Sequence, residues 1–308
     1  MPQSRLTPGS LWIIGTLVLI DAMILSLTGM RIVWRPVLGV VTGAVLLDIL
    51  GRVYAGPRDA PRLTLFARLG MRIVLFSAAA ETLNMLLCTF VKLPFWDSRF
   101  AAADAALGLN WIDFAGWVSA HPVLHGLLSF AYLGLGPELI VLVSLLALMG
   151  DASAAIMLWR LFAVTALATI FLATLLPAIG PLVWFSRPGA LSVPYVQQYL
   201  GLRGGELRTI NLVTAQGLIT FPSFHACVAM ICMWVSRSLG GMLRGLIYVF
   251  NMLVIASTPP IGGHYFIDIL GGGMIAGGAI FALEFDMIGF CRLRVPSFGP
   301  RPPESQRL

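Results

Sequence analysis

Eight apolar runs decide what this chain can fold into. They fall at 10–30, 36–53, 70–92, 123–149, 156–180, 223–239, 242–259 and 265–288 of its 308 residues, and most approach the roughly 20 residues that carry a helix across a bilayer. Inside lipid every backbone N–H and C=O must be satisfied within the protein, which makes the helix the default for such a run. Composition agrees: 58% of residues are hydrophobic and only 11% charged, where a soluble domain is about a quarter charged. The sequence therefore predicts an all-α integral membrane protein of about eight transmembrane helices in one polytopic domain. The runs at 223–239 and 242–259 are the shortest, with only SRSLGG between them. The first run is too long for a signal-peptide core, carries Asp21 and lacks a small-x-small cleavage site, so it reads as a retained helix.

Arginine placement orients the bundle, because cytoplasmic loops carry the excess of basic residues. With the N-terminus inside, Arg5, Arg52, Arg58, Arg62, Arg68, Arg72, Arg160, Arg237, Arg244, Arg292, Arg294, Arg301 and Arg307 lie on the inner side. Arg31, Arg35, Lys92, Arg99, Arg187, Arg203 and Arg208 lie on the outer side. That bias predicts cytoplasmic termini and places 181–222 on the outer face, the periplasmic face of a bacterial inner membrane. The net charge of +6 then reflects loop charge. No basic run with interleaved aromatics is present, so nucleic acid is not an expected partner. Cys88, Cys227, Cys232 and Cys291 show no metal or redox spacing and read as small buried hydrophobes.

Two outer segments are not spans. Residues 97–120 are moderately apolar, with Trp111, Phe114 and Trp117 close together, which suits an amphipathic helix anchored by aromatics at the headgroup level. Residues 181–222 hold the longest polar insertion, and a long irregular loop is usually functional. The expected organisation is two additional helices and a cytoplasmic loop in 1–64, a six-helix core in 65–290 with both outer segments, and a cytoplasmic tail in 291–308.

Two motifs carry chemistry. In FPSFHAC (221–227), Pro222 and Ser223 open the sixth run and put His225 in its first turn. In STPPIGGHYFIDILGGG (257–273), His264 and Asp268 are four apart and share a helix face. A carboxylate on one ring nitrogen leaves the other free as nucleophile or base. The Pro-Pro-x-Gly-Gly prelude is expected to break the seventh run and begin the eighth at His264. Two helix starts, each with free N–H groups and a positive dipole end, would then converge beside two imidazoles and a carboxylate. With Arg187, Arg203 and Arg208 in the adjoining loop, the set points to phosphoryl transfer, with donors placed where charge develops.

These motifs resemble the type-2 phosphatidic acid phosphatase superfamily, whose signature runs K-x6-R-P, P-S-G-H and S-R-x5-H-x3-D. Pro222-Ser223-Phe224-His225 matches the second motif with Phe224 in place of glycine. Ser257-Thr258, His264 and Asp268 match the third with Thr258 in place of arginine. Arg187-Pro188 aligns with the end of the first, but Gly180 stands at its lysine. The resemblance covers roughly 100–290. PSFH and HYxxD without that arginine look more like the branch of inositol phosphorylceramide synthase, as do ADAALGLNW and HPVLHGLLSFAY. It implies a metal-independent, cofactor-free enzyme with a phosphohistidine intermediate, acting on a phospholipid or lipid phosphate. In that reading His264 is the nucleophile, Asp268 orients it, and His225 serves as leaving-group acid and then base. Ser223, Gly263, Arg203, Arg208 and Arg187 hold the phosphate.

Alternatives remain at the level of sequence. A lipid phosphate phosphatase would use water as acceptor. Asp21, Asp48, Glu81 and Glu138, in or near the runs, motivate a transporter, although paired broken helices in two halves are lacking. A non-catalytic lipid-binding protein would not need a complete His-His-Asp set. His121 and His125 have metal-ligand spacing but no third ligand nearby, and read as structural. Gly273 and Gly277 form a G-x-x-x-G pair that reads as close helix packing.

Overall fold

A computed structural model describes residues 9–56 and 58–293. Arg5 and 294–308 of the expected tail lie outside the described residues, as do the side chains of Cys291 and Arg292. The chain runs α1 (Gly9–Thr28), β1 (Arg31–Ile32), α2 (Trp34–Ala55), α3 (Pro61–Phe90), α4 (Asp97–Ala106), α5 (Trp111–Ser119), α6 (Pro122–Met149) and α7 (Ala152–Leu175). It continues α8 (Pro181–Trp184), α9 (Pro194–Gly204), β2 (Thr209–Ile210), α10 (Phe224–Val235), α11 (Gly241–Gly262) and α12 (Phe266–Leu293). Helix starts follow local chemistry. Pro61 and Pro122 open α3 and α6, where a missing N–H costs nothing, and the Asp151 side chain accepts the Ala154 N–H to cap α7 at 3.0 Å.

Among the described residues, seven helices are long and apolar enough to cross a membrane: α1, α2, α3, α6, α7, α11 and α12. The expected span at 223–239 is not among the seven. It forms the 12-residue α10 and a short 3-10 turn over Ser236–Ser238. Twelve residues rise about 18 Å, well short of a hydrocarbon core of about 30 Å. The run is apolar because α10 is enclosed by protein. Ala226, Cys227, Val228, Ala229, Ile231 and Cys232 are buried, and α6, α7, α11 and α12 pack around it. The first two helices pack chiefly on α3.

The segment 97–120 also differs from a single amphipathic helix. Gly108, at φ +73°, separates α4 from α5, and the Asn110 side chain caps α5 by accepting the Ile112 and Asp113 N–H groups. Trp111 is buried rather than anchoring at an interface, and its indole N–H donates to the Pro259 carbonyl at 3.0 Å.

One end of the bundle gathers the connections. There β1, between α1 and α2, pairs in parallel with β2. At the same end α4 bonds the turn after α7 and the start of α12. An ion pair between Arg237 and Glu284 (2.5 Å) lies at the far ends of α10 and α12.

Candidate active site

The site begins with a capped helix. Ser223 is buried, and its hydroxyl accepts the Ala226 N–H at 3.3 Å, starting α10 and placing His225 in the first turn. The N–H groups of Phe224 and His225 have no acceptor among the described residues. A run of glycines lets α12 lie against this start. A Cβ on Gly272 would fall 2.4 Å from the Ser223 carbonyl oxygen, and one on Gly271 would fall 2.8 Å from the Phe221 ring. The Ser223 N–H donates to the Asp268 carbonyl at 2.9 Å. The close approach uses Gly271 and Gly272 rather than the expected Gly273–Gly277 pair, since Gly277 has nothing within 4 Å of such a Cβ.

The turn into α12 departs from the sequence expectation. Pro259 and Pro260 do not end α11, which continues to Gly262, and Gly263 in the left-handed region (φ +66°) terminates it. His264 therefore lies between α11 and α12 rather than in a first helical turn. It meets Asp268 because that side chain folds back over the helix start. Asp268 Oδ2 accepts the Tyr265 N–H at 2.8 Å and stands 3.3 Å from His264 Nδ1. His264 Nδ1 also donates to the Thr220 carbonyl at 2.8 Å. Both neighbours of Nδ1 are acceptors, so that nitrogen carries a proton, and in the neutral tautomer the lone pair is on Nε2. His264 is 3% exposed and Asp268 fully buried. The His225 and His264 ring centroids are 6.4 Å apart.

The start of α12 is already occupied by carboxylates. Asp104, from α4, accepts the Phe266 and Ile267 N–H groups at 2.9 and 2.8 Å, and Asp268 takes that of Tyr265. The expected anion site at this helix start is thus absent, while the N–H groups of Gly263 and His264 just before it have no acceptor among the described residues. Asp97, also on α4, accepts the Ile179 and Gly180 N–H groups at 3.0 and 2.9 Å and the Tyr265 hydroxyl at 2.9 Å. It ties the turn after α7 to the turn before α12.

The three arginines have different surroundings. Arg203 donates to the Val91 and Leu93 carbonyls and its guanidinium lies over the Phe95 ring. Arg208 is exposed, and its carbonyl accepts the Arg31 N–H next to the β1–β2 pair. Arg187 lies half-buried just after α8, its N–H bonded to the Leu182 carbonyl. Leu182 in turn borders Gly263, where a Cβ would fall 3.1 Å from it. Among the described residues no arginine or lysine forms an ion pair with Asp268.

Several residues that build the site escaped the sequence reading. Tyr132, on α6, stacks on His225 with centroids 4.1 Å apart and planes 12° apart. It also explains Gly262, where a Cβ would fall 2.6 Å from its ring. Asp97 and Asp104, seven apart, project from one side of α4, a spacing that could have flagged them. His121 Nδ1 donates to the Trp117 carbonyl at 2.7 Å. Among the described residues no three His, Cys, Asp or Glu side chains cluster for a metal.

Comparison with known proteins gives one family. A protein-family model described as the PAP2 superfamily matches residues 98–282, from the first turn of α4 into α12. No curated protein and no solved structure matches the chain.

Proposed function

The chain belongs to the PAP2 superfamily, making it a membrane enzyme of the lipid phosphatase or phosphotransferase type, and on that premise we propose that it transfers a phospho-headgroup between lipids. The observation that carries this reading is His264, its Nδ1 held by Thr220 and Asp268, facing His225 across 6.4 Å. His264 Nε2 attacks phosphorus, forming a P–N bond as the P–O bond to the leaving lipid breaks. Asp268 stabilises the imidazolium, and His225 gives its proton to the departing oxygen. In the second step His225 takes the proton of an acceptor alcohol, whose oxygen attacks phosphorus and releases His264.

Neutral donors suit this substrate. The N–H groups of Phe224, His225, Gly263 and His264 lie free at the two turns. The Ser223 hydroxyl accepts from Ala226, which leaves its own proton to donate. A phosphodiester carries one negative charge and can be held by such donors, whereas a phosphomonoester dianion calls for cations. Of the arginines, Arg187 is best placed to approach the phosphate, and Arg203 and Arg208 act further out. Positioning and donors carry the chemistry without a divalent ion. The arginine bias supports an active site on the outer face, and the β1–β2 pair supports it by holding two predicted outer loops together.

The test is a panel of phospholipids and lipid phosphates incubated with purified protein, with and without ceramide or diacylglycerol. A new headgroup-bearing lipid supports transfer. Inorganic phosphate alone supports the phosphatase, and binding without turnover supports a lipid-binding protein.

A further inference from the structure

Tyr195, in the outer helix α9, carries a hydroxyl with no function in the fold. The oxygen is buried and has no hydrogen-bond partner among the described residues. An unmade hydrogen bond of this kind is destabilising, so a native protein that keeps one calls for an explanation. The hydroxyl is aimed at the catalytic turn. A Cβ on Gly263, the residue before His264, would fall 2.6 Å from it, and one on Gly180 would fall 3.5 Å from it. Both glycines have positive φ, +66° and +99°, and their lack of side chains lets the hydroxyl lie close against the turn. The adjoining N–H groups of Gly263 and His264 are also without acceptors. Three unpartnered donors thus border one turn, and one acceptor brought by a ligand can satisfy them together.

We propose that Tyr195 is a phosphoryl-oxygen donor, its hydroxyl completing with the Gly263 and His264 N–H groups a neutral cradle for one non-bridging oxygen of the substrate. This rests on the phosphotransfer reading above. Burial, with Asp97 nearby, pushes the Tyr195 phenol above its ordinary range, so the group stays a protonated donor at any working pH. A neutral phenol adds a hydrogen bond without a second positive charge, which favours a singly charged phosphodiester over a dianion.

The experiment compares full-length wild type, Tyr195→Phe and His264→Ala in detergent micelles. It reads turnover of whichever panel phospholipid the wild type converts fastest, inhibition by orthovanadate, and thermal melting with and without orthovanadate. Tyr195→Phe should melt no lower than wild type, because it deletes an unsatisfied buried hydroxyl and leaves the ring. Its kcat/KM should fall roughly 10²-fold, the scale of a lost oxyanion donor, with orthovanadate inhibition weakened in parallel. Undiminished kcat/KM and orthovanadate sensitivity would overturn the proposal. So would a loss of activity accompanied by a lower melting temperature and unchanged orthovanadate inhibition, which marks a structural role. Should the wild type turn over no lipid, the functional reading fails and orthovanadate-induced stabilisation decides alone: present in wild type and lost in Tyr195→Phe supports the donor, while equal or absent stabilisation in both rejects it.

Discussion

Asp104 caps a helix that begins 162 residues later in the chain: its Oδ1 accepts the Ile267 N–H at 2.8 Å. The other oxygen takes Phe266, so one carboxylate of α4 satisfies two of the first N–H groups of α12. These are the groups a helix start normally leaves open. Capping here fixes where α12 begins, and with it the distance between His264 and Asp268.

Replacing Asp104 with alanine should therefore act on stability and activity together. Loss of a charged cap costs roughly 1–3 kcal/mol, and kcat should drop more than KM rises. Thermal melting and steady-state kinetics check this. Asp104→Asn keeps one acceptor and should fall between the two.

Gly180 cannot be given a side chain. Its φ of +99° and ψ of 162° lie in a region nearly reserved for glycine, and a Cβ would stand 2.8 Å from the Gly263 carbonyl oxygen. Gly180→Ala should cost roughly 1–3 kcal/mol from backbone strain and displace Gly263, lowering turnover. Gly180→Lys should fail equally rather than add a phosphate clamp. A lysine variant more active than wild type would contradict this account of the missing first-motif lysine.

Tyr132 holds the His225 ring by stacking. Such a contact contributes about 0.5–1.5 kcal/mol, up to about tenfold in rate. Tyr132→Phe keeps the ring and should retain turnover within about threefold, whereas Tyr132→Leu should lose about tenfold in kcat with KM little changed. Equal effects from both variants would move the role from the ring to the hydroxyl.

Chelation gives a fourth check. With catalysis carried by histidines and neutral donors, EDTA should leave turnover unchanged. Loss of turnover that a divalent ion restores would require a metal in the mechanism.

The sequence exposes the membrane helices because length and apolarity are local properties. It also exposes the start of α10, since Pro222 and Ser223 form a local cap. Its apolarity alone does not give the 12-residue length of α10, because a helix walled by protein is as apolar as one facing lipid. The turn at His264 departs from the sequence expectation for a different reason. Proline disfavours a helix interior, but Pro259 and Pro260 sit in the last turn of α11, where Trp111 donates to the Pro259 carbonyl from 148 residues away. Contacts of that range leave no local trace. Asp97 with Tyr265, Tyr132 with His225 and Tyr195 with Gly263 are all of this kind, and together they make the site.

The most direct test is covalent. Wild type incubated with a phospholipid labelled with ³²P in its headgroup phosphate, without acceptor, should gain label that is stable in base and labile in acid, mapping to His264. Adding an acceptor alcohol should chase the label into a new lipid, and His264→Gln should carry none. Turnover without any labelled protein, or label and turnover that survive in His264→Gln, would contradict transfer through His264.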